Sequence, residues 1–172
     1  MARILIVAGG CRGRRLAGGL VGEGHAVRVT TRAESGRAAI EAAGAECWIG
    51  TPDRLGTLRA ALESVTIVCW LLGTATGSDG EIRALHGSRL EFFLGQAIDT
   101  TVRGFVYEAA GVAGGGAVPA DVFAGGEQIV RRVAERNEIP VGFLRADPGE
   151  SDLWIEDARA AIDALLLGPI DR

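Results

Sequence analysis

The stretch RILIVAGGCRGRRLAGGL, residues 3–20, decides the fold. Its first part, residues 4–7, is a continuous apolar run, which is typical of a parallel strand covered on both faces. Aligned with the pattern G-x-G-x-x-G, the residues that follow are Ala8, Gly9, Gly10, Cys11, Arg12 and Gly13. Such a turn between a strand and a helix predicts the phosphate-binding loop of a dinucleotide site. An alanine at the first glycine position is its one departure.

Each glycine of this turn has an expected task. Gly10 lets the backbone approach a pyrophosphate, and Gly13 lets the new helix pack closely against the strand. Ala8 takes a position that mainly serves the tight turn, and Gly9 shares that task. The helix that follows directs its free N–H groups and its positive end toward the phosphates. A glycine-rich turn that binds no ligand remains the alternative.

Apolar β-rich stretches alternate with helical ones along the whole chain. Strands are predicted over 3–8, 26–31, 46–50, 66–73, 104–109 and 141–146, and helices over 13–22, 34–43, 54–63, 80–98, 121–137 and 151–167. This alternation predicts a single α/β domain over 1–172. Its sheet is parallel and doubly wound, a Rossmann fold with helices on both faces and strand order 3-2-1-4-5-6.

Composition limits the classes of partner and site. The chain has 172 residues and a net charge of −4, which argues against a nucleic acid or an anionic membrane as partner. No apolar run is long enough to span a membrane, and the opening residues lack a signal sequence, so a cytoplasmic location is expected. Three cysteines and two histidines lie too far apart in sequence to indicate a metal site.

The end of the second strand bears on the choice of dinucleotide. An NAD site usually has an acidic residue there, which binds the ribose hydroxyls. This chain has Thr31 and Arg32, with Glu34 just beyond. Arg32, assisted by Arg12, favours the 2′-phosphate of NADP. Glu34 keeps NAD open, and a solvated Arg32 without a ligand is the structural alternative.

The segments ILIVAGGCRGRRLAGGLVGEGHAVRVTTR (4–32) and GTPDRLGTLRAALESVTIVCWLLGTA (50–75) resemble short-chain dehydrogenase/reductase proteins of the atypical and extended types. These include NmrA-like and nucleotide-sugar-epimerase-like members. The resemblance implies that Thr51 and Asp53 lie near the adenine of an NAD(P) cofactor. It also implies that Leu72, Gly73 and Thr74 line the ribose. A homodimer through helices 80–98 and 121–137 is a further expectation from the resemblance.

The chain departs from that family where catalysis is expected. The family uses a Tyr-x-x-x-Lys pair at the start of the helix after strand 5, and the corresponding residues here are Pro119 and Phe123. All 18 basic residues are arginine, so a lysine is excluded. Tyr107 is the only tyrosine, and its place within strand 5 predicts a packed aromatic. No counterpart of the family's carboxy-terminal substrate domain is expected, which leaves loops 74–80, 108–120 and 146–151 for a substrate.

Glu108, at the end of strand 5, is the candidate for a general acid or base. Hydrogen bonding to a ribose or a structural cap are the alternatives for its carboxylate. Two functions stay open at this point. The first is a non-catalytic dinucleotide-binding module or redox sensor. The second is an NAD(P)H-dependent reductase of quinones, flavins or carbonyls, or an epimerase-like enzyme, that works without the tyrosine–lysine pair.

Overall fold

A computed structural model describes residues 1–168 of the chain; residues 169–172 of the predicted domain lie outside the described residues. The described part forms a six-stranded parallel sheet with the order β3-β2-β1-β4-β5-β6. Its strands are β1 (Arg3–Ala8), β2 (Ala26–Thr31), β3 (Glu46–Ile49), β4 (Ile67–Leu71), β5 (Gly104–Glu108) and β6 (Val141–Leu144). The predicted doubly wound α/β fold and strand order are therefore confirmed.

Helices cover both faces of the sheet. They are α1 (Gly10–Gly22), α2 (Arg37–Ala42), α3 (Asp79–Leu85), α4 (Ser88–Ile98), α5 (Ala120–Asn137) and α6 (Ser151–Leu167). One hydrophobic layer joins the sheet to α1, α2 and α6, and the other joins it to α3, α4 and α5. In the described residues, no helix combines the length and apolarity that crossing a membrane requires.

The central strand β1 shows why the sequence reads as one unbroken apolar run. Ile4 and Ile6 face the layer of α1 and α6, whereas Leu5 and Val7 face the opposite layer. All four side chains are fully buried. Since successive side chains of a strand point to opposite faces, a strand covered on both sides needs an apolar residue at every position.

The helix predicted over 54–63 is wrong. The structure has two short 3₁₀ turns there, Leu55–Thr57 and Ala60–Leu62. The Thr57 hydroxyl donates to the Arg54 carbonyl oxygen at 2.6 Å and accepts from the Thr51 amide at 2.9 Å. These local bonds compete with a regular helix for the backbone groups. The apolar residues Leu58 and Leu62 are buried nonetheless, so their spacing reflected burial and not an α-helix.

The single helix predicted over 80–98 is also wrong, because it breaks into α3 and α4. Gly87 lies between them with φ −127° and ψ −107°, outside the helical region. A side chain at Gly87 would place its Cβ 2.7 Å from the Arg83 carbonyl oxygen, so this break requires glycine. The preceding residue, His86, is buried under the end of β4. The helix predicted over 34–43 likewise starts with a 3₁₀ turn, Glu34–Gly36, before α2.

Several strands end earlier than predicted. The predicted strand 66–73 ends at Leu71 and the predicted strand 104–109 ends at Glu108. Leu72, Gly73 and Thr74 therefore lie in the loop just beyond β4, at the carboxyl edge of the sheet. Ligands bind at this edge in doubly wound folds.

Candidate functional site

The glycine turn is built on three consecutive residues with left-handed backbone conformation. Ala8, Gly9 and Gly10 have φ values of 65°, 89° and 56°. Glycine adopts this conformation freely, whereas an L-residue with a Cβ pays roughly 1 kcal/mol for it. The Ala8 amide donates to the Thr30 hydroxyl at 3.0 Å, which ties the strained residue to β2. Ala8 thus adopts a left-handed conformation that glycine would adopt without strain.

Gly10 and Gly13 differ in what surrounds them. A Cβ added at Gly13 would lie 3.0 Å from the Ala8 carbonyl oxygen, so α1 packs tightly against the end of β1. A Cβ added at Gly10 would meet nothing within 4 Å. The backbone at Gly10 therefore borders open space at the start of α1, whose first turn has no acidic residue. The unneutralised positive end of this helix suits an anion such as a phosphate.

The Arg12 side chain extends from the glycine turn toward the loop after β4 and the start of α6. Its Nη2 donates to the Thr74 hydroxyl at 2.9 Å, and its guanidinium lies 5.6 Å from the centre of the Trp154 ring. Its buried Nε has no hydrogen-bond partner among residues 1–168. Cys11, next to it, is exposed, and its sulfur accepts from Arg14 Nη2 at 3.0 Å. The turn thus combines a backbone that borders open space at Gly10 with a guanidinium, that of Arg12, which has unpaired N–H donors.

A cluster of charges stands where β2 and β3 end. Arg32 follows Thr31, the last residue of β2, and its Nη2 lies 2.9 Å from Asp53 Oδ2. Arg89, at the start of α4, places Nη1 2.9 Å from Asp53 Oδ1. The Asp53 amide donates to the Thr51 hydroxyl at 3.2 Å. The tertiary structure therefore brings Thr31, Arg32, Thr51 and Asp53 together.

Glu34 forms its ion pair with Arg37 and not with a residue of this cluster. Its carboxylate pairs with Arg37 at 2.7 Å, and this hydrogen bond lowers the pKa of Glu34. The pair joins the 3₁₀ turn to α2 on the exposed surface.

A single peptide group at the end of β4 is bound from both sides. The Leu72 carbonyl oxygen lies 3.1 Å from His86 Nε2, and the Gly73 amide donates to Glu108 Oε2 at 2.9 Å. His86 and Glu108 are each only 1% exposed. Two buried polar side chains thus fix the orientation of the Leu72–Gly73 peptide, immediately before Thr74.

Glu108 also reaches the opposite side of the crevice. Its Oε1 accepts from Trp154 Nε1 at 2.9 Å, so the carboxylate joins β4 to α6. Burial raises the pKa of Glu108, while the bonds from Gly73 and Trp154 and the nearby Arg12 act in the lowering direction. Each carboxylate oxygen already accepts from a structural donor. Proton transfer by Glu108 would have to displace one of them.

Tyr107 and His86 form a buried pair behind the same strand end. The distance between the Tyr107 hydroxyl and His86 Nδ1 is 2.7 Å. Because the Leu72 carbonyl can only accept, His86 carries its proton on Nε2 and accepts from Tyr107 at Nδ1. Burial lowers the pKa of His86 to about 4 and raises that of Tyr107. Tyr107 is fully buried, which confirms the prediction of a packed aromatic.

Pro119 and Phe123, which the family resemblance predicts at the positions of a catalytic pair, have structural roles. Pro119 directly precedes α5 as its N-cap, and Phe123 is buried against the His86 ring, with ring centres 5.1 Å apart. Asp147 Oδ2 accepts from the Ala113 amide at 3.1 Å and Oδ1 from the Gly149 amide at 2.8 Å. Asp147 therefore holds loop 108–120 against the turn after β6.

A cavity of about 440 Å³ opens beside loop 108–120. Small apolar residues, glycines and one aromatic line it: Ala109, Ala110, Gly111, Val112, Gly115, Gly116, Val118, Ala120 and Phe123. None of these lining residues titrates. The part of the chain that the structure describes also contains no group of three His, Cys, Asp or Glu residues arranged to hold a metal ion.

Sequence reasoning missed three residues of this edge. Arg89 and Trp154 stand at the starts of helices far along the chain from their partners Asp53 and Glu108. His86 lies between α3 and α4 and contacts Leu72 and Tyr107, which are distant from it in sequence. Nothing in the local pattern predicts these pairings, since each depends on which helix ends the sheet brings to one edge.

No family model and no curated protein sequence matches this chain. Solved structures do match. UDP-glucuronic acid 4-epimerase from Bacillus cereus, in complex with NAD, shares 16% identity over 83% of this chain and 55% of its own, with a TM-score of 0.62. Vestitone reductase from alfalfa shares 16% identity over 84% of this chain and 56% of its own, with a TM-score of 0.61.

Triphenylmethane reductase from Citrobacter sp., complexed with NADP(H), is similar to the same degree. It shares 20% identity over 83% of this chain and 48% of its own, with a TM-score of 0.61. At these identities the similarity shows a shared fold. The chain spans about half the length of the structures it matches.

Proposed function

We propose that this chain is an NAD(P)-binding Rossmann protein of the atypical short-chain dehydrogenase/reductase type, acting as a non-catalytic dinucleotide-binding module or redox sensor. The observation that carries the proposal is the turn at the start of α1. Its backbone at Gly10 borders open space, and Arg12 stands beside it with unused donors. Structures with the same fold contain NAD or NADP(H).

Each part of the dinucleotide has residues suited to it. The pyrophosphate would lie on the backbone of Gly9, Gly10 and Cys11, against Arg12. The nicotinamide ribose would lie on the fixed Leu72–Gly73 peptide and Thr74. Arg32, with Asp53 beside it, would face the adenosine, and Arg32 favours NADP over NAD. When bound, the nicotinamide ring supplies hydride chemistry, while the protein orients it.

The bonding of the buried polar groups supports a non-catalytic role. Glu108 accepts from Gly73 and Trp154 with its two oxygens, and the Tyr107 hydroxyl is engaged by His86. Pro119 and Phe123 stand where the related enzymes have a proton-transfer pair. The side chains of Glu108, His86 and Tyr107 are thus engaged in bonds within the fold, which supports binding without catalysis.

A reductase is the second candidate, and the cavity beside loop 108–120 favours it. Hydride transfer depends mainly on positioning, so an acceptor such as a quinone or flavin needs no dedicated acid. A cavity of about 440 Å³ whose lining side chains carry no charge suits an uncharged ring of this kind. The expected homodimer through helices 80–98 and 121–137 remains a prediction. In support of it, α4 and α5 pack side by side, and the aromatic side chain of Phe92 on α4 is 58% exposed. Analytical ultracentrifugation tests it.

Binding is tested by calorimetry with Gly10→Asp and its neutral match Gly10→Asn. Both side chains tolerate left-handed backbone, and both occupy the open space at Gly10 that the pyrophosphate would fill. We therefore expect both variants to bind NAD(P) at least about tenfold more weakly than the wild type, and the aspartate to bind more weakly still because it adds a negative charge. Wild-type affinity in either variant, or no binding by the wild type, would contradict the proposed pyrophosphate site.

Turnover separates the two functions. NADPH and NADH oxidation is measured with quinone, flavin and carbonyl acceptors in the wild type and in a Glu108→Gln variant that remains folded. Tight binding without oxidation supports the module. Oxidation lost in Glu108→Gln supports a catalytic carboxylate, and oxidation retained in it supports hydride transfer without an acid.

A further inference from the structure

Two arginines converge on one carboxylate at the adenosine end of the proposed site. Arg32 from the end of β2 and Arg89 from the start of α4 each contact a different oxygen of Asp53, both at 2.9 Å. The side chain of Arg32 is 68% exposed and that of Arg89 is 28% exposed. Each guanidinium contacts Asp53 through one nitrogen and has further donors for another anion.

Glu81 is a further carboxylate near this group, since the charges of Asp53 and Arg89 act on it. Its Oε2 accepts from the Ser78 amide at 2.8 Å in the capping box of α3. Glu81 is therefore committed to α3. Asp53 is the carboxylate that directly pairs with both arginines.

We propose that Arg32 and Arg89 together recognise a phosphate monoester on the adenosine, the 2′-phosphate of NADP, and that Asp53 is the counter-ion which this phosphate displaces. The inference rests on the proposed dinucleotide function and adds to it a second arginine and a competing acid. A phosphate dianion bonds to guanidinium more strongly than a carboxylate of single charge.

The competing acid explains how the cluster discriminates between ligands. A neutral ribose hydroxyl cannot displace a carboxylate from two guanidinium groups, so NAD leaves both ion pairs in place. A phosphate gains two guanidinium partners, and the free energy needed to release Asp53 opposes its binding. Asp53 therefore lowers the affinity for NADP, while Arg89 raises it.

The test is calorimetric titration with NADP⁺, NAD⁺, adenosine 2′,5′-bisphosphate and AMP. The two adenosine fragments share the 5′-phosphate that lies at the glycine turn and differ only in the 2′-phosphate, so the comparison between them isolates that group. The variants are Arg89→Gln and Asp53→Asn, with Arg103→Gln as the matched control. Arg103 is exposed and immediately precedes β5, so it lies at the opposite, amino edge of the sheet.

Arg89→Gln is expected to weaken NADP⁺ and the bisphosphate about tenfold, leaving NAD⁺ and AMP within about twofold. Asp53→Asn is expected to strengthen NADP⁺ and the bisphosphate about tenfold, because the competing charge is gone. Arg103→Gln should leave unchanged both the affinity ratio of NADP⁺ to NAD⁺ and that of the bisphosphate to AMP.

Dinucleotide binding with an unchanged NADP⁺ to NAD⁺ ratio in Arg89→Gln would overturn this inference and leave the proposed function intact. Weaker NADP⁺ binding in Asp53→Asn would likewise refute the role of Asp53 as a competitor. A wild type that binds none of the four ligands would overturn the proposed function and this inference together.

Discussion

The buried histidine makes the stability of this protein depend on pH in a calculable way. Burial lowers the pKa of His86 from 6.5 to about 4, so the native imidazole is neutral while that of the unfolded chain is ordinary. Above pH 6.5 both states are neutral and stability is complete. As the pH falls toward 4, the unfolded state binds a proton that the native state does not, and stability is lost.

The size of this loss follows from the pKa difference. At about 1.4 kcal/mol per unit, a shift from 6.5 to about 4 corresponds to roughly 3 kcal/mol. Glu108 acts in the opposite direction, because burial raises its pKa above 4.5. The contribution of His86 is therefore the difference between the wild type and a variant that lacks the imidazole.

His86→Gln is a suitable variant, since an amide can donate to Leu72 and accept from Tyr107 as the imidazole does. Denaturant unfolding at several pH values between 4 and 7 should show a smaller loss of stability for His86→Gln by roughly 3 kcal/mol. Tyr107→Phe is the control, because it removes a hydrogen bond but keeps the buried imidazole, so a loss of stability toward pH 4 should persist in it. Parallel pH profiles for the wild type and His86→Gln would refute the reasoning.

Two further predictions concern strain and buried bonding. Ala8→Gly should raise the free energy of unfolding by roughly 0.5–1 kcal/mol in denaturant titrations. The variant relieves left-handed strain at φ 65°, and the higher conformational entropy of its unfolded chain offsets part of that gain. A less stable variant would contradict the prediction. Glu108→Gln should cost about 1–3 kcal/mol, because its NH₂ must face the N–H of Gly73 or Trp154. Adding Trp154→Phe should recover part of that cost in a double-mutant cycle, and strict additivity would refute the bonding scheme.

The central strands and their order could be predicted because their signal is local. Each residue of 4–7 is apolar since β1 is covered on both faces, and the glycine turn marks the start of the first helix. The failed helices show the limit of the same signal. Leu58 and Leu62 are buried at helical spacing, but hydrogen bonds of Thr57 and the backbone of Gly87 interrupt regular helices in ways that apolar spacing does not reveal.

The roles of the polar residues depended on long-range pairing. Glu108 was predicted at the end of a strand, but its partners Gly73 and Trp154 are 35 and 46 residues away in sequence. Arg32 was recognised as a basic residue after β2, while its counter-ion comes from the loop after β3 and the second arginine from α4.

The sequence alone determined the layered fold and the place of the glycine turn, because burial on both faces and backbone freedom depend on neighbouring residues. Only the tertiary structure decided which charges and carboxylates meet at the carboxyl edge. These contacts join residues from six different segments of the chain. The local sequence of a segment does not specify which side chains of distant segments lie beside it in the folded protein.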